Sequence, residues 1–285
     1  MIEPLRHFVL IVDHGTFTAA ARFAHVSQPA LTASIHRLEA SLDARLFDRG
    51  RQGATLTEAG RALVPHARAV VVALEEGARA VRDVETLEGG EVKVGGGTTA
   101  CSYHLPPVLS TFKKRHPKVR IYLRELSDGA ALTAFENGEL DLVVVRGKRG
   151  DLFRADEFVL VAARGVDPTG LPLITLPNGS ATRALVDRHF PDRVIAMELA
   201  SLSVVKGSVR AGLGVALITR SAVATDLSLG RLVEVATPMT PIAHPSRLLH
   251  RGLDRLSAPA AALRRLMLEG APPGRRGTRA SRRVG

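Results

Sequence analysis

Residues 16 to 60 read TFTAAARFAHVSQPALTASIHRLEASLDARLFDRGRQGATLTEAG, and this stretch decides the fold of the N-terminal part. Its pattern predicts a short alanine-rich helix over about Thr18 to Ala24, a tight turn, and a second helix over about Gln28 to Leu42. Ser27 stands where its hydroxyl can cap the second helix, and Pro29 falls in the first turn, where a missing N–H costs little. Leu31, Ile35, Leu38 and Leu42 recur at helical spacing and form one apolar stripe. The opposite face carries Pro29, Thr32, Ala33, His36 and Arg37, with Gln28 at the exposed N-terminal end. In the first helix Ala20, Ala21 and Ala24 are small enough to let two helices cross closely, and Arg22 points outward, where it can hold a phosphate. This is the spacing of a helix-turn-helix, whose second helix enters the DNA major groove. Glutamine can pair with adenine, and the proline ring and the threonine and alanine methyls can touch a thymine methyl. His36 and Arg37 can reach phosphate or guanine. The same faces also suit an ordinary pair of packed short helices.

Downstream, Thr57 to about Leu87 reads as one long helix. Leu63, Ala67, Val70, Leu74, Ala78 and Val81 alternate three- and four-residue steps and make a narrow seam. A second copy of the chain, or the chain's own second domain, is the surface that covers such a seam. Glu88-Gly89-Gly90 ends the helix as a hinge. From Glu91 onward strands and helices alternate: strands at 91–95, 119–126 and 140–145, and helices at 105–116 and 130–137. This βαβαβ order indicates an open, mainly parallel sheet covered by helices. A second lobe follows, with strands at 158–163, 173–176, 194–199 and 215–219, helices at 181–190 and 203–211, return strands at 232–235 and 247–249, and a closing helix at 258–269. Two such lobes look like a periplasmic-binding-protein-like α/β domain, whose ligands sit in the crevice beyond the strand ends.

The chain has 285 residues, 45% of them hydrophobic, as in a folded globular protein, and a net charge of +11. Location matters more than the total. Residues 1 to 60 hold six arginines and six acidic residues, whereas residues 270 to 285 hold five arginines and no acid. The basic excess therefore lies outside the helix-turn-helix, and the case for DNA rests on the motif. The Gly-, Pro- and Arg-rich tail is expected to be disordered. A lone Cys101 leaves no intrachain disulfide and fits a reducing compartment. No signal-peptide pattern and no apolar run of membrane-spanning length is visible, so a cytoplasmic location without membrane association is expected. Nucleotide-loop, nucleophile-elbow and zinc-ligand spacings are missing, so no enzyme activity, metal or cofactor is expected. Cys101 and His104 read as a buried small residue and a surface histidine.

The ordered strings Phe17-Thr18-Ala19-Ala20-Ala21, Val26-Ser27-Gln28-Pro29-Ala30-Leu31, Arg37-Leu38-Glu39, Leu46-Phe47-Asp48-Arg49 and Leu56-Thr57-Glu58-Ala59-Gly60 closely resemble the LysR-type transcriptional regulators. LPPVLSTFKKRHPKVRIYL, NGELDLVVV and the stretch ending VKGSVRAGLGVALITRSAV are also similar to that family. The likeness is weakest over 146–175, where the family usually runs longer. Departures fall at Ala33, Ser34 and His36, where the family often carries longer polar or basic residues. The resemblance implies a winged helix-turn-helix over 1-60 with the wing at about Asp48 to Leu56, and a dimerising linker helix over 61-89. It also implies a two-lobed effector domain over 90-269, with lobe 1 at about 90-158 and 240-269 and lobe 2 at about 159-239, ahead of the 270-285 tail. DNA contacts are expected from Thr18, Arg22, Ser27, Gln28, Pro29, Thr32, Ala33, His36 and Arg37, with Arg49, Arg51 and Gln52 on the wing. Dimerisation is expected through Leu63, Ala67, Val70, Leu74 and Val81. Thr98, Thr99, Ser127, Arg146 and Ser201 are implied to line an effector pocket that favours a small carboxylate or other anion. The whole reads as a dimer or dimer of dimers that binds an inverted-repeat operator in double-stranded DNA under control of a small-molecule effector. The alternatives are an effector-independent DNA binder, or a solute-binding protein or enzyme on the two-lobe fold.

Overall fold

The computed structural model describes residues 2–48, 54–85 and 90–269. The expected wing contacts Arg49, Arg51 and Gln52, the hinge residues 88–89 and the tail 270–285 lie outside the described residues. The chain divides into two compact units, residues 1–87 with 136–139, and residues 88–135 with 140–285.

The first unit is built from α1 (Ile2–His14), α2 (Phe17–Phe23), α3 (Gln28–Leu42), a two-stranded antiparallel wing of β1 (Phe47–Asp48) and β2 (Thr55–Leu56), and α4 (Glu58–Glu85). Both short helices start on a hydroxyl cap: Thr16 Oγ1 accepts from the Ala19 amide at 3.1 Å and Ser27 Oγ from the Ala30 amide at 3.3 Å, each satisfying an N–H with no partner inside its helix. The chain leaves α3 through Asp43 in the left-handed region, φ 47°. Phe8, Ile11, Ala20, Leu31, Ile35, Leu38, Leu46 and Phe47 fill the core, and each large apolar side chain hidden there is worth about 1.5–3 kcal/mol.

Three of the four expected stripe residues are buried, while Leu42 is 42% exposed because α3 outruns the core at its last turn. The seam on α4 also needs correction. Ala67 is buried in this same core and Leu63 packs against it, so both serve the chain itself. Val70, Leu74 and Val81 remain exposed on the same helix.

The second unit opens with β3 (Glu91–Gly96), a π-helical turn (Ala100–His104) running into α5 (Leu105–Arg115), β4 (Arg120–Glu125), α6 (Asp128–Glu136) and β5 (Leu142–Arg146). β3 lies parallel between β4 and β5. Val92, Val94, Leu142 and Val144 from the sheet meet Leu105, Val108 and Phe112 of α5, and Ala260, Leu263 and Met267 of α10 (Ala258–Glu269). The second lobe holds β7 (Leu173–Thr175), α7 (Ala181–His189), β8 (Ile195–Glu198), α8 (Leu202–Arg210), β9 (Ala216–Thr219), α9 (Arg220–Ser228) and β10 (Leu232–Glu234). β7 and β8 pair in parallel, whereas β9 and β10 pair antiparallel with β6 (Asp151–Ala163).

Two strands run through both lobes. β6 (Asp151–Ala163) and β11 (Ile242–Leu249) pair antiparallel from Ile242↔Phe158 to Leu248↔Asp151, with a register shift at Ser246/Arg247. Both start earlier than their sequences predict. Asp151 to Glu157 is rich in charge and lacks a buried run, so only the ladder supplied by the distant partner makes it a strand. α9 was not expected either, because its apolar residues are few; Ala222 and Val223 are nonetheless buried.

Candidate functional sites

On α3, Gln28, Pro29, Ala33, His36 and Arg37 are exposed and Thr32 is half-buried; Pro29, Ala33, His36 and Arg37 lie on the side away from Leu31, Ile35 and Leu38, Thr32 at its border and Gln28 at the open N-terminal end. Thr18 and Arg22 are exposed on α2, and Ser27 is exposed at the cap. The face is partly organised by its own bonds. Thr32 Oγ1 donates to the Gln28 carbonyl at 3.0 Å and accepts from Gln28 Nε2 at 3.4 Å, while His36 Nδ1 lies 3.6 Å from Glu39 Oε2. Glu39 Oε1 also accepts from the Leu46 and Phe47 amides at 2.7 and 3.4 Å, which ties the end of α3 to the base of the wing. Ser34 is not on the reading face: it is buried and its hydroxyl meets His7 Nδ1 at 2.8 Å.

In the second unit a cavity of about 370 Å³ opens between the lobes. One wall is the start of the π-turn helix (Gly97, Thr98, Thr99, Ala100), a second is Glu125 to Asp128 at the head of α6, and Val144 to Arg146 end β5. The far lobe contributes Gly179 to Thr182 at the start of α7, Leu202 at the start of α8, and Leu217 to Thr219, while Phe158, His244 and Ser246 form the floor. Several helix N-termini thus point their partial positive charge at one space.

Thr98, Thr99, Ser127 and Arg146 line this cavity, and Ser201 is not among its lining residues. Its hydroxyl is spent on the Val204 amide at 3.4 Å as the cap of α8. Each lining residue also has a bond within the chain. Thr98 Oγ1 donates to Glu125 Oε1 at 2.6 Å, Thr99 and Thr219 hydroxyls meet at 3.1 Å, Ser127 Oγ accepts from the Ala130 amide at 3.3 Å, and Arg146 Nε donates to Asp128 Oδ2 at 2.7 Å.

The sequence reading missed the floor. His104 is not on the surface: its side chain is 8% exposed, lies 3.3 Å from Asp156 and 2.9 Å from Ser221 Oγ, and lines the cavity. Burial raises the Asp156 pKa, but hydrogen bonds from His104, the Glu157 amide and Ser221 outweigh it and hold the carboxyl below its ordinary value. His244 packs edge-on against Phe158 with centroids 4.7 Å apart. Burial first, then the nearby Arg146 and His104, holds its imidazole below the ordinary value. Cys101 is buried with its thiol pushed up to about 11, by burial first and then by Glu125. The Ser221–His104–Asp156 grouping is no hydrolytic relay. Serine and aspartate both approach Nε2, whereas such a relay needs them on opposite ring nitrogens. The floor carries little local signal, because Asp156 and His244 lie in the segments, ahead of the expected strands at 158–163 and 247–249, that become strands only against each other.

Residues 2–61 match the family described as "Bacterial regulatory helix-turn-helix protein, lysR family", and residues 85–272 match "LysR substrate binding domain". A protein named "Probable RuBisCO transcriptional regulator" from Gracilaria tenuistipitata var. liui is 30% identical over 290 residues, covering 90% of this chain and 94% of that protein. One of the same name from Nostoc sp. is 32% identical over 261 residues, covering 81% of this chain and 77% of the other. Among solved structures, full-length LysG from Corynebacterium glutamicum with bound effector Arg superposes with a TM-score of 0.67 at 21% identity, covering 96% of this chain and 100% of that one. Full-length CbnR complexed with its target DNA gives 0.59 at 19% identity, covering 94% and 98%.

Proposed function

The chain belongs to the LysR family of DNA-binding transcription regulators, and on that premise we propose that it acts in the cytoplasm as a dimer or dimer of dimers on an inverted-repeat operator, under control of a ligand held between its lobes. The observation that carries the reading is α3, whose Leu31, Ile35 and Leu38 are sunk in the core while Pro29 and Ala33 stand on its free side, with Thr32 half-buried at the border and Gln28 exposed at the N-terminal end. In this reading Gln28, Pro29, Thr32 and Ala33 contact base edges. Thr18, Arg22, Ser27, His36 and Arg37 fix the helix against phosphates, and Arg49, Arg51 and Gln52 act from the wing. The helix face is short of long polar side chains, so DNA shape carries part of the specificity.

The functional segments are 1-60 for DNA, 61-89 for the linker, 90-269 for the effector, and the basic tail 270-285. Val70, Leu74 and Val81 supply the part of the linker that meets a second copy. The effector biases the relative setting of the two lobes, and with it the arrangement of the dimer on DNA. Selection of genomic fragments by the purified full-length protein, followed by footprinting, tests this reading. The expected result is a protected inverted repeat whose half-sites are spaced by whole helical turns. Uniform retention of random duplex, with no enriched sequence, overturns it.

A further inference from the structure

We infer that the π-helical turn Ala100–His104, with Thr99 just ahead of it, is a latch that fixes the setting of the two lobes. Thr99 and His104 of the first lobe hold Thr219 and Ser221 of the second. The Thr99 and Thr219 hydroxyls meet at 3.1 Å, and His104 Nε2 lies 2.9 Å from Ser221 Oγ. Asp156, on the strand β6 that passes through both lobes, touches both members of the second pair. Its Oδ2 lies 3.3 Å from His104 Nε2, and its Oδ1 accepts from the Ser221 amide at 3.3 Å. The His104 and Asp156 side chains are 8% and 4% exposed, so water competes little for these contacts. Beside them Tyr103 packs against the core of the second lobe, with Lys206 Nζ 5.3 Å from the centre of its ring.

Stability alone does not account for this cluster. Thr99 and Thr219 each stand at the cap position of a helix, and neither hydroxyl caps it. Both are spent on each other across the seam, at the expense of the local bond such a position normally makes. His104 Nδ1 is buried with no hydrogen-bond partner among the described residues, which costs more than an apolar ring of the same shape. Replacing a buried charge pair by well-packed apolar side chains is often neutral or stabilising, and the main cores of both lobes are apolar. What polar contacts add is direction: a hydrogen bond has one favoured length and angle, whereas apolar surfaces slide. A polar seam thus holds one setting, and it breaks and reforms without opening a core. The π turn fits this role, since such turns are rare and recur at functional sites. Gly97 to Ala100, the run into the turn, also form a wall of the inter-lobe cavity. A molecule that presses on that wall works directly on the latch. Only this last consequence rests on the reading of the cavity as the effector site.

The test uses the full-length protein with no ligand added. Lys114→Cys and Arg188→Cys put a spin label on an exposed position of each lobe. Cys101, buried and with its thiol pushed up to about 11, stays unlabelled. Labelled chains are diluted with unlabelled wild type, so that each oligomer carries one labelled copy at most. Ser221→Ala is expected to shift or broaden the distance distribution between the labels, while Ser221→Thr, which keeps the hydroxyl, matches the wild type. In Ser221→Ala, amide hydrogen exchange at 99–104 and 219–223 should quicken about tenfold, with 105–115 and 258–269 unchanged. Thr99→Val breaks the other bond and should act in the same direction, so the result does not hang on the folding of one variant. A distance distribution unchanged in both variants overturns the latch, since the strands alone then set the lobes. Faster exchange throughout both lobes also overturns it, because the bonds then serve general stability. Either failure leaves the effector reading standing, since no ligand enters the measurement.

Discussion

At the scale of single residues, the site depends on which polar groups are free to act. Gln28 and Thr32 are bonded to one another, Gln28 exposed and Thr32 half-buried. Gln28→Ala or Thr32→Ala is expected to weaken operator binding by about 1–3 kcal/mol and leave random duplex nearly unchanged, as read by fluorescence anisotropy. Equal loss on both DNAs would remove them from base reading. Arg22→Ala is expected to weaken both DNAs alike and to lower the salt slope by about one. His244 makes a different kind of prediction. Its folded value lies below 6.5, so its contribution to stability is complete above that pH and is lost as pH falls below it. Asp156, also depressed, adds a further loss below about 3.8. Urea denaturation of the wild type should therefore show a falling midpoint from pH 7 to pH 5, and His244→Gln should flatten that limb. Ser34 and His104 show where residue-level reading fails. Each looks like a surface polar side chain from its own neighbours, and each is buried because a residue far along the chain, His7 or Asp156, supplies its partner.

At the scale of elements, α3 was legible to its ends because local chemistry fixes them: a serine cap, an early proline and a three-turn apolar stripe. The end of α4 nearest the wing shows a tighter constraint. A Cβ on Gly60 would lie 2.2 Å from the Leu46 carbonyl oxygen and 2.8 Å from Leu56 Cδ2. Gly60→Ala should cost about 1–3 kcal/mol by forcing the wing base away from α4, measurable as a lower urea midpoint of the N-terminal unit. The α4 seam splits into two kinds of position, which substitutions can separate. Leu74→Glu is expected to abolish the dimer in sedimentation while the N-terminal unit stays folded; an unchanged dimer removes Leu74 from the interface. Leu63→Ala should instead destabilise the unit, since Leu63 packs on its core. Periodicity alone could not make this division, because a seam looks the same whether its cover comes from the same chain or another. The lower halves of β6 and β11 were illegible for a related reason: charge-rich segments such as Asp151 to Glu157 become strands only against each other.

At the scale of the whole molecule, the order of the elements was readable because each lobe alternates strands and helices, and that alternation allows few topologies. What it could not show is that β6 and β11 pass through both lobes as one paired ribbon. A hydrogen-bonded ribbon resists sliding along its length and yields by bending and twisting. It thus acts as a fulcrum, and the two lobes are its levers. Phe158 and His244, which belong to the ribbon, sit at the pivot with their rings 4.7 Å apart, whereas Ser127 and Thr182 sit out on the arms. Closure around a ligand should leave the first pair's separation almost unchanged and bring the second pair together, so the gain of the device is set by distance from the pivot.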